Sequence, residues 1–260
     1  MRNILKADFF KLKKSRAFLI CLLLILALGV LIVFALQAAF TITESVGPEA
    51  IPGMTASPGG AWALGQVLST GFHLVIIAVL TALFVSSEFV YGPMKNMLSR
   101  GAGRLSVFFS KFLVSCAASL AILFVYMLAG LVTGTLLWGF DPAGLVTASG
   151  MLGMILPQTL LTLSFTAVFL FISTTLRSSG GAIAVNIICA TMVSTLLSAL
   201  NMLLKLDIDL GIYWLEGAIG RLATITPDSG DVVRGVIVGL VWMAVSLAAG
   251  GVLFRKLDVK

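Results

Sequence analysis

The sequence predicts an all-α integral membrane protein with six transmembrane helices and both termini on the cytoplasmic side. Three observations carry this expectation. Of 260 residues, 59% are hydrophobic and only 11% charged, with a mean hydropathy of +1.11. The apolar residues gather into six long runs, and the basic residues gather in alternate connections. A water-soluble core has no room for so much apolar surface. The net charge of +6 does not point to nucleic acid, because the basic residues do not line one face.

A span needs about 20 apolar residues to cross roughly 30 Å of hydrocarbon at about 1.5 Å per residue. Runs of that length cover residues 17–40, 61–87, 106–138, 148–176, 180–204 and 233–254, which places the whole chain, 1–260, in one transmembrane domain. The first run is too long for the apolar core of a signal peptide, so it reads as a retained span. The third is long enough to tilt or to extend beyond the bilayer. Pro48, Pro52, Pro58 and several glycines make residues 41–60 an irregular loop. Pro157 is a candidate kink in the fourth span. Gly130 with Gly134, and Gly235 with Gly239, are spaced for close helix packing.

Short basic segments stay on the cytoplasmic side. Arg2, Lys6, Lys11, Lys13, Lys14 and Arg16 precede the first run; Lys95, Arg100, Arg104 and Lys111 fall between the second and third, with Lys111 counted in that loop. Arg177, Arg255, Lys256 and Lys260 lie on the same side. The opposite side keeps Lys205, Arg221 and Arg234, and most of the acids: Glu44, Glu49, Asp141, Asp207, Asp209, Glu216, Asp228 and Asp231. On this count no span contains a charged residue. Residues 205–231 are too polar to cross, yet hold Ile212, Tyr213, Trp214, Leu215, Ile219 and Leu222, which predicts a short outer-face helix or re-entrant piece with an interfacial aromatic pair.

In the leader, residues 1–16, Leu5, Phe9 and Leu12 recur at helical spacing on one face, with Lys6, Lys13 and Lys14 on others. An interfacial helix is expected, its apolar face among acyl chains and Lys13, Lys14 and Arg16 near anionic headgroups. The loop from Ser87 to Arg104 carries helix-start and helix-stop signals: Pro93 for a first turn, Gly101 and Gly103 to end it. Glu88, at the membrane edge, is placed to pair with Arg100, Arg104 or a partner's basic group.

These segments resemble the permease subunits of type-2 ABC transporters, in particular the six-span subunits of bacterial peptide-antibiotic immunity and export systems. The likeness rests on ADFFKLKKSRAFL (7–19), SEFVYGPMKNMLSRGAGR (87–104) with the following FFSKFL (108–113), the number and direction of spans, and the tail FRKLDVK (254–260). Pro93 departs from the small or β-branched residue common there. The resemblance implies a multi-pass protein of the bacterial cytoplasmic membrane with a coupling helix at about 92–104, in which Glu88, Tyr91, Gly92, Lys95, Asn96, Met97, Leu98, Arg100 and Arg104 meet a separate ATP-binding subunit. It also implies that the leader is a connecting helix and that Tyr213, Trp214 and Leu215 belong to an external gate.

No Walker A pattern, catalytic constellation or metal-ligand spacing occurs, and Cys21, Cys116 and Cys189 are unpaired in sequence spacing. The chain is therefore expected to be no enzyme by itself and to bind no cofactor, with ATP and magnesium on the partner. Two ATP-binding subunits would need two permease halves, so a homodimer or a heterodimer with a similar permease is expected. His73, Gln158, Asn186 and Asn201 are the polar candidates within the spans, for a substrate path or for interhelical hydrogen bonds. The leading expectation is export of an amphipathic or hydrophobic substrate, such as an antimicrobial peptide or a drug; similar permeases export sodium, lipid or polysaccharide. A secondary transporter would be expected to carry charges near the midplane, and an intramembrane enzyme a nucleophile and base. A membrane scaffold is the remaining alternative.

Overall fold

The computed structural model of the chain describes residues 2–46, 59–90, 103–141, 144, 146–205, 209–224 and 227–256. The regular elements among them are all helical: α1 (Arg2–Lys14), α2 (Arg16–Val46), α3 (Gly60–Ser69), α4 (Phe72–Val90), α5 (Arg104–Trp138), α6 (Ala148–Leu176), α7 (Ser179–Thr191), α8 (Val193–Leu204), a 3-10 turn (Leu210–Tyr213), α9 (Leu215–Leu222) and α10 (Ser229–Lys256). Among the described residues there is no strand.

Four helices, α2, α5, α6 and α10, are each long and apolar enough to cross a membrane. The expected second and fifth spans are not single rods. Each is a bent pair, α3 with α4 at 50° and α7 with α8 at 47°, giving six crossings when each pair counts as one. The first bend passes through Gly71, whose φ of +67° suits glycine and resists a side chain. The second falls at Met192, where helical hydrogen bonds continue on both sides, from Met192 N to Ile188 O and from Leu196 N to Met192 O. A bend of so few residues leaves an apolar run uninterrupted, which is why hydropathy passes over it.

Lys111 is the second correction. It does not belong to the loop but lies well inside α5, 1% exposed, so a charged residue does sit within a helix that crosses.

Local signals fix several helix ends. Thr147 accepts from Gly150 N at 3.1 Å and Ser178 from Gly181 N at 3.4 Å, capping α6 and α7. Pro157 lies inside α6 without ending it. The central helix is α6, with 61% of its apolar window buried against 17% for α2, which faces outward. A Cβ at Gly134 would come within 2.5 Å of Ala63 Cβ, and one at Gly130 within 2.9 Å of Val67 Cγ2. The missing side chains let α3 lie directly on α5.

Alternating helix directions bring both described chain ends to one end of the bundle, where most of the described basic residues lie. At the far end Phe40, Trp62 and Trp138 form a triangle of edge contacts, with centroids 5.4, 5.7 and 6.1 Å apart. Trp138 Nε1 donates to Gln37 Oε1. Backbone bonds from Gly60 N to Gly139 O at 2.8 Å and Ala61 N to Phe140 O at 3.2 Å close the same end.

Candidate functional site

At the basic end a polar and aromatic arrangement joins four elements. On α1, Asp8 is 0% exposed, and its carboxylate accepts from Lys111 Nζ at 2.6 Å and from Ser110 Oγ at 2.9 Å, both on α5. The Lys111 ammonium also stands 4.8 Å from the centroid of the Phe84 ring on α4. Buried charges persist only when paired and hydrogen-bonded, and both conditions hold for Asp8.

Beside this pair, Phe254 of α10 is 2% exposed, its ring 5.7 Å from Phe108 of α5 and 6.4 Å from Phe89 of α4. Arg104, the first residue of α5, donates through Nη1 to the carbonyl of Arg255 at 2.7 Å. The last turn of α4 and the first turn of α5, the two roots of the 91–102 loop, are thus tied to α1 and to the end of α10.

The leader forms the expected helix, but its apolar face is divided. Leu12 is 5% exposed and Leu5 packs against the same core, whereas Phe9 is 49% exposed and points away with Phe10. The bundle takes the stripe Leu5, Asp8, Leu12, and the ion pair to Lys111 lies on that same face. Lys13, Lys14 and Arg16 are exposed, and Lys14 Nζ lies 4.9 Å from the Phe10 centroid. Tyr91, Gly92, Lys95, Asn96, Met97, Leu98 and Arg100 lie outside the described residues, as does the side chain of Glu88.

Of the four polar candidates in the spans, His73, Gln158 and Asn186 are enclosed. Gln158 Nε2 donates to Ile219 O at 2.8 Å, joining α6 to α9. Asn186 Nδ2 reaches Ser173 Oγ at 3.1 Å and Ala78 O at 3.3 Å, joining α7 to α6 and α4. His73 is 0% exposed against Tyr126. Asn201, nearer the surface, donates to Asp209 Oδ1 at 3.2 Å. A cleft of ≈ 440 Å³ lies elsewhere, at the far end between the first turns of α6 and α10, lined by Thr147, Ser149, Gly150, Gly153, Pro227 and Ser229 among others.

Of the expected gate residues, Tyr213 is 52% exposed, while Trp214 and Leu215 are buried. Trp214 packs edge-on to Trp242 at 4.8 Å and to Phe165 at 5.9 Å, so the aromatic pair divides between surface and core. Trp242 Nε1 donates to Tyr213 O at 3.0 Å. Half-buried Glu216, at the start of α9, accepts from Ser194 Oγ of α8 at 2.6 Å. Burial lifts its carboxyl above the ordinary value, and the Ser194 hydrogen bonds pull it part of the way back.

Asp8, Ser110, Phe84 and Phe254 escaped sequence reasoning. The signal for Asp8 was present: it is an acid in a basic leader, on the same helical face as Leu5 and Leu12. Among the described residues no cluster of three or more His, Cys, Asp or Glu side chains is arranged to hold a metal ion.

Helices of this length and hydropathy, packed around enclosed polar contacts, define a multi-pass all-α membrane protein. Residues 55–260 match the family described as Protein of unknown function (DUF2705), and the chain belongs to that family. No curated protein matches it.

Proposed function

We propose that the protein is the membrane-spanning permease subunit of an ATP-binding cassette exporter in the bacterial cytoplasmic membrane, with its basic end facing the cytoplasm. Its substrate is amphipathic or hydrophobic, of the kind an antimicrobial peptide represents. The observation that supports this reading is the knot at the basic end. A loop that receives force from a soluble partner needs roots that move with the rest of the bundle. Here α4 and α5 are held to α1 through Asp8, Lys111 and Phe84, and to α10 through Phe254 and the Arg255 carbonyl.

In this reading the loop residues Tyr91, Gly92, Lys95, Asn96, Met97, Leu98 and Arg100 dock on an ATP-binding subunit, with Glu88 and Arg104 at the roots. ATP and magnesium belong to that partner, because the chain lacks a Walker A pattern. Two such partners act on two permease halves, either two copies of this chain or this chain with a similar one. The path is then opened between halves, by alternating exposure to the two sides. His73, Gln158 and Asn186, enclosed within one chain, support that path from behind, and Tyr213, Trp214 and Leu215 close it at the far end.

Co-expression with the ATP-binding subunit of the neighbouring reading frame tests the proposal. The two are expected to purify together, and replacing Met97, Leu98 and Arg100 with Asp is expected to separate them while the thermal midpoint of the membrane subunit stays unchanged. A pair that never forms, or one that survives the triple substitution, would overturn it.

A further inference from the structure

The second crossing turns by 50° across Thr70 and Gly71. The turn is tied to α5, because Thr70 Oγ1 lies 2.6 Å from the Tyr126 hydroxyl. The same Thr70 hydroxyl donates to Val67 O at 2.7 Å, so in the contact between the two hydroxyls Tyr126 is the donor. Two residues beyond Gly71, His73 is 0% exposed, and its ring centroid is 5.5 Å from that of Tyr126 with a 36° tilt. Neither His73 nitrogen has a hydrogen-bond partner among the described residues.

An uncharged imidazole carries one donor and one acceptor whichever tautomer it takes. Leaving both unmet in an apolar interior destabilises the arrangement that contains them. In the bent position alone, a leucine would serve better than His73. Tyr126, whose ring packs against the imidazole, commits its O–H to Thr70, and Thr70 would keep its bond to Val67 O if Tyr126 turned away.

We infer that the α3–α4 bend is a two-position joint in which the Tyr126 hydroxyl exchanges acceptors, from Thr70 Oγ1 in the bent position to a His73 ring nitrogen in the other. The exchange moves no proton between groups and leaves one Tyr126 hydrogen bond in each position. Gly71 supplies the backbone freedom: its φ is +67° in the bent position, and glycine enters the regions on both sides of φ = 0 at little cost. His73 is thus a positioning residue: it makes the bent position less favourable and the second position accessible. This inference is independent of the transport reading, because it concerns the chain alone.

The test uses the full chain in lipid nanodiscs, with His73→Leu and His73→Met. Both variants remove the unmet polar atoms, so the thermal midpoint is expected to rise, on the order of 5 °C. Spin labels at Gln66→Cys and Ser87→Cys, with Cys21, Cys116 and Cys189 replaced by Ala, report the distance across the bend. Two distance populations are expected with His73 present, and only the shorter one in either variant. A lowered midpoint in both variants, or an identical distance distribution with and without His73, would overturn the joint.

Discussion

Removing one member of the buried Asp8–Lys111 pair should destabilise the bundle far more than removing both. In Asp8→Asn the Ser110 hydroxyl keeps an acceptor, and the Lys111 ammonium keeps the Phe84 face at 4.8 Å, a contact worth about 1–2 kcal/mol when shielded from water. The remaining cost is that of an enclosed cation that has lost its short contact with Asp8, so the loss falls at the lower end of the ~3–5 kcal/mol typical of a broken buried pair. Lys111→Met leaves the carboxylate with the Ser110 hydrogen bond at 2.9 Å but no cation, and belongs at the upper end. In Asp8→Leu with Lys111→Met neither charge remains, and the chain should recover to within about 1 kcal/mol of the parent. At roughly 2–4 °C per kcal/mol for a domain of this size, each single variant loses about 10 °C in thermal midpoint, and the double variant only a few. The assay is thermal unfolding of the purified protein in nanodiscs. Single variants within about 2 °C of the parent, or a double variant that falls by the sum of the singles, would refute the account of the pair as a buried, mutually dependent contact.

Gly134→Val should push α3 off α5, because even a Cβ there would meet Ala63 Cβ at 2.5 Å; a cost of about 1–3 kcal/mol is expected, read as a lower thermal midpoint. The pH response of the far end should follow Glu216. Its carboxyl binds a proton more tightly in the folded chain than at the ordinary value of 4.5, so its contribution is fully present below that pH and is lost as pH rises through the lifted value. Thermal midpoints measured from pH 4 upward should therefore fall less steeply in Glu216→Gln than in the parent. An unchanged slope would remove Glu216 from the explanation.

The helical class and the approximate places of four long spans and two bent apolar pairs were legible because bilayer thickness imposes a length that hydropathy alone reveals. The packing role of Gly130 and Gly134 was equally legible, since their spacing aligns both on one helix face. Three features were not. The bends at Gly71 and Met192 interrupt helices without interrupting apolarity. Lys111 looked like one more basic residue beside a loop, because its counter-charge, Asp8, lies 103 residues away in the chain. The enclosed His73 could be named as a candidate from sequence, but its want of a hydrogen-bond partner depends on where Thr70 directs the Tyr126 hydroxyl.

At 35 residues, α5 is about 52 Å long, well beyond the roughly 30 Å of hydrocarbon, and it is a single helix from Arg104 to Trp138. The bent pairs α3–α4 and α7–α8 have joints; this helix is a beam. A tilt of one degree about its basic end carries Trp138 sideways by about 0.9 Å, the lever arm following from the helical rise per residue. The ion pair at Lys111 and the aromatic triangle at Trp138 are therefore two grips on one stiff bar, and slack must be taken up in the jointed neighbours, α3–α4 and α7–α8.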